Sequence, residues 1–216
     1  MTSPARLRHV RWLVGGTGAG KSTAAAVIAR RFDLDVYDGD RAEHDWLRRC
    51  TAERHPRFAA LRDQRSGDMW RDRSPGQIFE AMAGLHGETV EFLVEDLLAR
   101  PTDRTVLVDY FGVLPRDLAP LLSRPAHAAF LVPTPEFRRA ALTRRYADRD
   151  RARANWGGLD PAVVLETRLA RDALWDAEVT RQARELGLPL LTIDGNRSVD
   201  RTVDALARQF RLDTAQ

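Results

Sequence analysis

One lysine stands among the 34 basic residues of this 216-residue chain. It lies in the run Gly15-Gly16-Thr17-Gly18-Ala19-Gly20-Lys21-Ser22-Thr23. A G-x-x-x-x-G-K-[ST] run needs an apolar strand before it and a helix after it, because only then do its main-chain N–H groups converge on one point. His9 to Val14 supplies the strand, and Lys21 to Arg31 reads as the helix. The glycines let the backbone close around an anion, and the helix adds the positive end of its dipole. A lysine suits the position because its ammonium is compact and its stem flexible, where arginine is planar and wide. Lys21 would bridge the terminal phosphates of a nucleoside triphosphate, and Ser22 would offer its hydroxyl to Mg²⁺.

The rest of the chain reads as alternating strands and helices. Strands are expected at Leu34 to Tyr37, Thr105 to Val108, Ala128 to Val132 and Leu188 to Ile193. Between the second and third, Arg41 to Asp72 is charged and helical in pieces. Ser74-Pro75 then caps a helix whose stripe is Phe79, Met82, His86, Val90, Leu93 and Leu97, with Gly84 and Gly87 as kink points. His86 is expected in the core on that basis. Short helices are expected from Pro115 and Glu136, a long one from Asp160-Pro161 to Gly187, and a last one after Ser198 with Val199, Val203, Leu206 and Phe210 inward. Such alternation predicts an α/β fold with a parallel sheet covered on both faces. The length fits a single domain over 1–216, with an acceptor-binding insertion at about 41–100 and a lid at about 138–158.

Composition excludes more than it identifies. The lone Cys50 leaves no intrachain disulfide and fits a cytoplasmic location. No apolar run approaches the roughly 18 residues of a membrane span, and the N-terminus does not read as a signal peptide. A net charge of +3 is too small to argue for nucleic acid.

Acids and arginines fall where phosphoryl chemistry needs them. Asp109 ends the run Val106-Leu107-Val108, a place from which a carboxylate holds Mg²⁺ through water. Asp38-Gly39-Asp40 follows the second strand, and ligands of open parallel sheets bind beyond the carboxyl ends of strands. Asp38 would support Mg²⁺, or contact substrate, while Asp40 would accept the proton of an attacking hydroxyl. In the connection that follows, Arg54, Arg57 and Arg73 are candidate anion contacts, and Trp46 and Trp70 candidate stacking surfaces. Arg138, Arg139, Arg144, Arg145, Arg149, Arg151 and Arg153 fall within sixteen residues after the fourth strand. Arginines on a mobile segment stabilise charge on the transferring oxygens once substrate is bound. Arg138, Arg145 and Arg149 share a face if one helix carries them all, and Arg145 and Arg149 are the expected catalytic pair.

With these in order, the chain resembles the nucleoside-monophosphate-kinase-like branch of P-loop kinases. Shikimate, gluconate and adenylylsulfate kinases and chloramphenicol phosphotransferase are the nearest in layout. The resemblance is specific at Gly15 to Thr23 and extends in element order from about Arg8 to Phe210. It implies a three-layer P-loop NTPase fold with a five-stranded parallel sheet in the order 2-3-1-4-5 and a helical lid. It implies ATP·Mg²⁺ as donor, an adenine pocket near Asp194 to Ser198, and Arg138 or Arg139 stacked on the base. The segment Tyr110-Phe111-Gly112-Val113-Leu114-Pro115 carries no glycine-rich acceptor loop, so the acceptor stays open. The expected activity is ATP-dependent phosphorylation of a small-molecule hydroxyl by a monomer or homodimer. Two alternatives remain at this point: a nucleoside or nucleotide kinase, clamping a phosphate with Arg54, Arg57 and Arg73, or a nucleotide-hydrolysing regulatory or RNA-binding module.

Overall fold

The computed structural model describes residues 4–212, and its centre is the strand that leads into the glycine run. β1 (Val10–Gly15) pairs in parallel on both sides. α1 (Lys21–Phe32) follows it, then β2 (Asp35–Asp38), α2 (Gly39–Arg49), α3 (Pro56–Ala59), α4 (Pro75–Glu80) and α5 (Val90–Leu98). β3 (Val106–Asp109), α6 (Pro115–Leu118), β4 (Ala128–Pro133), α7 (Pro135–Tyr146), α8 (Arg149–Trp156), α9 (Pro161–Glu185), β5 (Leu190–Ile193) and α10 (Val199–Phe210) complete the order. The sheet is β2-β3-β1-β4-β5, with every neighbouring pair parallel. This is the expected strand order.

Successive strand residues point to opposite faces, and the two faces bury different partners. Val10, Trp12 and Val14 join Val106, Val108, Ala128 and Phe130 in one core, against Trp46, Phe92 and Trp175 from the helices. Leu13, Leu107, Ala129 and Leu131 face the other way, onto Ile28, Val203, Leu206 and Phe210. A central strand with both faces covered is mostly apolar, and the one charged residue of β1, Arg11, donates its Nε to the Phe210 carbonyl at 3.0 Å. Val199 is 46 % exposed and does not join that second face, contrary to expectation, because it is the first residue of α10.

The single helix expected after Ser74 is instead two. α4 starts with the Ser74 cap, which receives the Gln77 N–H while Gln77 answers the Ser74 N–H. It stops at Glu80. A 3₁₀ turn follows over Ala83–His86, and Gly87 (φ 70°) takes a left-handed conformation that ends it before α5. A stripe read at 3.6 residues cannot cross such a break. Ile78 and Leu85 are buried, while His86 is exposed and its Nε2 meets the Glu80 carbonyl at 2.9 Å.

A third apolar cluster joins segments distant in sequence: Trp70 and Ile78, Ala152 and Trp156 on α8, and Val164 on α9. Trp156 packs on Tyr146 with ring centroids 4.1 Å apart. Beside it the backbones of 66–67 and 156–157 touch so closely that a Cβ on Gly157 would lie 2.4 Å from the Ser66 carbonyl oxygen.

Asp96 on α5 ties β2 and α2 together. Its Oδ2 accepts from the Tyr37 hydroxyl at 2.6 Å and the buried Trp46 Nε1 at 2.7 Å, and Oδ1 from Arg49 at 2.7 Å. Asp96→Ala strands a buried indole N–H and a phenol, each worth about 1–3 kcal/mol when unpaired. We expect urea denaturation to register a loss of roughly 2–4 kcal/mol.

Candidate active site

The glycine run owes its shape to a close approach of two strands. Gly15 ends β1 at φ 111°, and a Cβ there would sit 2.3 Å from the Leu131 carbonyl oxygen on β4. That same oxygen accepts the Gly16 N–H at 2.7 Å. Only glycine permits both the dihedral and the contact. The turn delivers Lys21 to the first position of α1. Its ammonium is buried and donates to the carbonyls of Gly16 at 3.0 Å and Gly15 at 3.3 Å. Burial lowers its pKa, while the charges of Asp109 and Asp40 act against that shift.

Three acids reach the carboxyl edge of the sheet by register. Asp38 and Asp109 end adjacent strands and pair directly, with Leu13 of β1 opposite Asp109. Asp38 Oδ1 accepts the Arg41 N–H at 2.9 Å, so this carboxylate caps α2. Asp40 lies in the first turn of α2 and faces the glycine run, with the Phe111 N–H 3.5 Å from its Oδ1. Burial raises the pKa of both Asp40 and Asp109. Lys21 pulls both back, and the Ser22 hydroxyl does so for Asp109.

Thr17, Gly18, Lys21, Ser22, Asp40 and Arg145 line a cavity of about 590 Å³. A second cavity of about 570 Å³ adjoins it and shares Glu43, Gln64, Met69, Phe111 and Arg171 as common wall. Of the expected lid arginines, Arg145 on α7 lines the first cavity. Arg149 does not, because the lid is not one helix: α7 ends at Tyr146, and Asp148 caps a new helix that Arg149 begins. Arg138 is not free to stack on a base. It is 3 % exposed, ion-paired with Asp176, and its Nε donates to the Thr17 carbonyl at 3.4 Å, behind the glycine run. Arg139 is exposed and pairs with Glu166.

In the acceptor segment Arg54 pairs with Glu91 and lies outside both cavities. Arg57 pairs with Glu88 at 3.3 Å, and Arg73 lines the second cavity. With Arg54 and Arg57 so engaged, a three-arginine phosphate clamp is not assembled. Trp46 is core, whereas Trp70 lines the first cavity.

Three site residues escaped sequence reading. Arg168 and Arg171 on α9 both line the first cavity, and Arg171 is buried. Its guanidinium lies 5.3 Å from the Trp70 ring and 5.8 Å from that of Phe111, and its Nε is 2.7 Å from Asp172. Arginines three apart on a helix just after the lid were the available signal. Glu43, one turn beyond Asp40, accepts the Tyr110 hydroxyl at 2.8 Å and lines both cavities.

The donor set suits Mg²⁺ and a triphosphate. Among the described residues no cluster of three or more His, Cys, Asp or Glu side chains could cage a metal. Mg²⁺ takes one or two protein oxygens and fills its shell with water and phosphate, and the Ser22 hydroxyl beside Asp109 provides such oxygens.

No protein-family model matches the sequence, and no curated protein matches it. Among solved structures the chain is similar to the shikimate kinase of Bacteroides thetaiotaomicron, at 17 % identity and TM-score 0.52, over 94 % of this chain and 98 % of that one. It also aligns with TT1252 from Thermus thermophilus, at 16 % identity and TM-score 0.47, over 93 % and 96 %. The chain has a P-loop NTPase fold, with a five-stranded all-parallel sheet ordered 2-3-1-4-5. Among the described residues no helix is long and apolar enough to cross a membrane.

Glu43 generates a pH prediction. Burial, chiefly, pushes its carboxyl up to about 7 from an ordinary 4.5, with Asp40 adding to the rise and the Tyr110 hydroxyl opposing it. The folded chain therefore holds a proton that the unfolded chain releases. Stability from this group is full below pH 4.5 and is lost as pH rises through 7. Without nucleotide, Glu43→Gln is expected to gain stability over the parent between pH 5 and pH 8, by on the order of 1–3 kcal/mol. Urea melts at the two pH values measure this, and a pH-independent difference would show an ordinary carboxyl.

Proposed function

We propose that this protein is an ATP-dependent phosphotransferase that moves a γ-phosphoryl group to the hydroxyl of a small molecule by in-line transfer. One observation carries the reading: the Lys21 ammonium and the Asp40 carboxylate wall the same cavity, and that cavity continues into a second. The main-chain N–H groups from Gly16 to Ser22 cradle the phosphates, and Lys21 holds oxygens of the terminal groups. Ser22 and Asp109 would hold Mg²⁺, which would neutralise charge on those oxygens. Asp40 accepts the proton as the acceptor oxygen forms its bond to phosphorus and the bond to the leaving diphosphate oxygen breaks. Its raised pKa makes it a better base than an exposed aspartate. Arg145 and Arg171 add positive charge around the transferring group. Asp38 contributes by capping α2, which aims Asp40.

The acceptor can be sought with purified protein, labelled ATP and a metabolite pool, by reading new phosphorylated species by mass. A one-to-one yield of ADP and product is expected. ADP release unchanged by every pool would point to a hydrolase instead.

Lys21→Ala is expected to abolish turnover. Asp40→Asn is expected to lower kcat by about two orders of magnitude or more, on general-base magnitudes; retained activity would place the base elsewhere. Arg145→Ala is expected to lower kcat more than it raises KM, while Arg149→Ala, outside the cavity, leaves both near parental values. Steady-state kinetics separates the two, and equal effects would remove Arg145 from its special place.

A further inference from the structure

The second cavity differs in character from the first. Phe58, Leu61, Met69, Ile78, Met82 and Phe111 are its large apolar side chains. Its polar groups sit mainly at the shared wall: Glu43, Gln64 and Arg171. Away from that junction the lining holds two charges, Arg57 and Arg73. Arg57 is held by Glu88, whose carboxylate also accepts the N–H groups of Arg57 and Phe58 at 3.0 and 2.9 Å. Arg171 turns its Nη1 to the Met82 sulfur at 3.4 Å while its Nε stays beside Asp172. Arg57 and Arg171 already face Glu88 and Asp172, and Arg73 is exposed, so a polyanion placed among the apolar side chains would exchange its hydration for contacts that carry no charge.

Methionine usage points the same way. The chain has three methionines, and the two beyond Met1, Met69 and Met82, both line this cavity. Methionine is unbranched and polarisable, so it moulds to an apolar guest without demanding one shape.

We propose that the second cavity holds the apolar body of the acceptor, so that the substrate is an alcohol carrying an aryl or branched alkyl group, and not a sugar acid or a phosphorylated sugar. The inference rests on the phosphotransferase reading for the fate of the hydroxyl, which enters at the Glu43–Gln64–Arg171 junction and reaches Asp40. Glu43 and Gln64 accept and donate hydrogen bonds at the polar end, and the apolar end contributes affinity by leaving water, about fourfold for each methylene fully buried.

The three methionines make the test direct. Protein labelled with ¹³C at the methionine methyls gives at most three signals, assigned with Met69→Leu and Met82→Leu. In Mg²⁺ and a non-hydrolysable ATP analogue, 3-phenylpropane-1,2-diol is expected to shift the Met69 and Met82 signals. It should bind more than tenfold tighter than propane-1,2-diol, and gluconate and glycerol 3-phosphate should leave both signals in place. Met82→Gln should weaken the phenyl diol at least fivefold without changing affinity for the analogue. Shifts from the anions alone, or none from the phenyl diol at saturation, would overturn the proposal. Phosphorylation assays distinguish the two layers. Turnover of polar acceptors only would keep the phosphotransferase and remove the apolar acceptor. Phenyl-diol binding at the two methionines, with no transfer to any alcohol, would support the cavity's occupant and remove the phosphotransferase.

Discussion

A buried ammonium governs the carboxyl edge of this sheet. Lys21 is taken out of water, which disfavours its charge, and two carbonyl oxygens at 3.0 and 3.3 Å replace part of what it loses. Asp109 and Asp40 supply the rest as charge, and they depend on Lys21 in turn, since burial alone would push both toward their neutral acids. The opposite charges of Lys21, Asp40 and Asp109 each work against the burial that disfavours the charge of the others. Removing one partner from such an arrangement is costly beyond its own contacts, because the remaining charges are left buried and uncompensated. Arg138 and Asp176 stand behind the glycine run as a second ion pair and fix its main chain from the rear.

Where local chemistry decides, the sequence was legible. The apolar strands, the Ser74, Asp160 and Ser198 caps and the glycine run each specify structure over a few residues, and all appear where they were read. Strand ends moved by a residue or two, which is ordinary for boundaries set by pairing with neighbours. The failure came at Ala81 to Gly87. There α4 stops at Glu80 and Met82 turns extended (ψ 123°), so an apolar spacing compatible with one helix is divided before the 3₁₀ turn that Gly87 closes, and His86 lies in solvent.

The site was legible only in part, for a different reason. Asp40, Asp109 and the glycine run are placed by strand ends, which sequence locates well. The arginines are placed by helix rotation, which it does not. Whether Arg145 or Arg149 meets the cavity depends on a break at Ala147 and Asp148, and whether Arg138 is a ligand or a buttress depends on Asp176, thirty-eight positions away. Arg171 belongs to a helix that looked structural and Glu43 to a segment read as acceptor-binding only as a whole, and both become site residues because α9 and α2 lean over the same opening. Periodicity tells which side chains share a face, but not what the face looks onto.

The small cluster built on Trp156 has a consequence for the two cavities beside it. The segments that wall the two adjoining cavities are joined by Trp70, Ile78, Ala152 and Trp156, with main chain against main chain at Ser66 and Gly157. Neither wall can lift without baring the greasy underside of the other. One apolar contact thus couples the walls of both cavities.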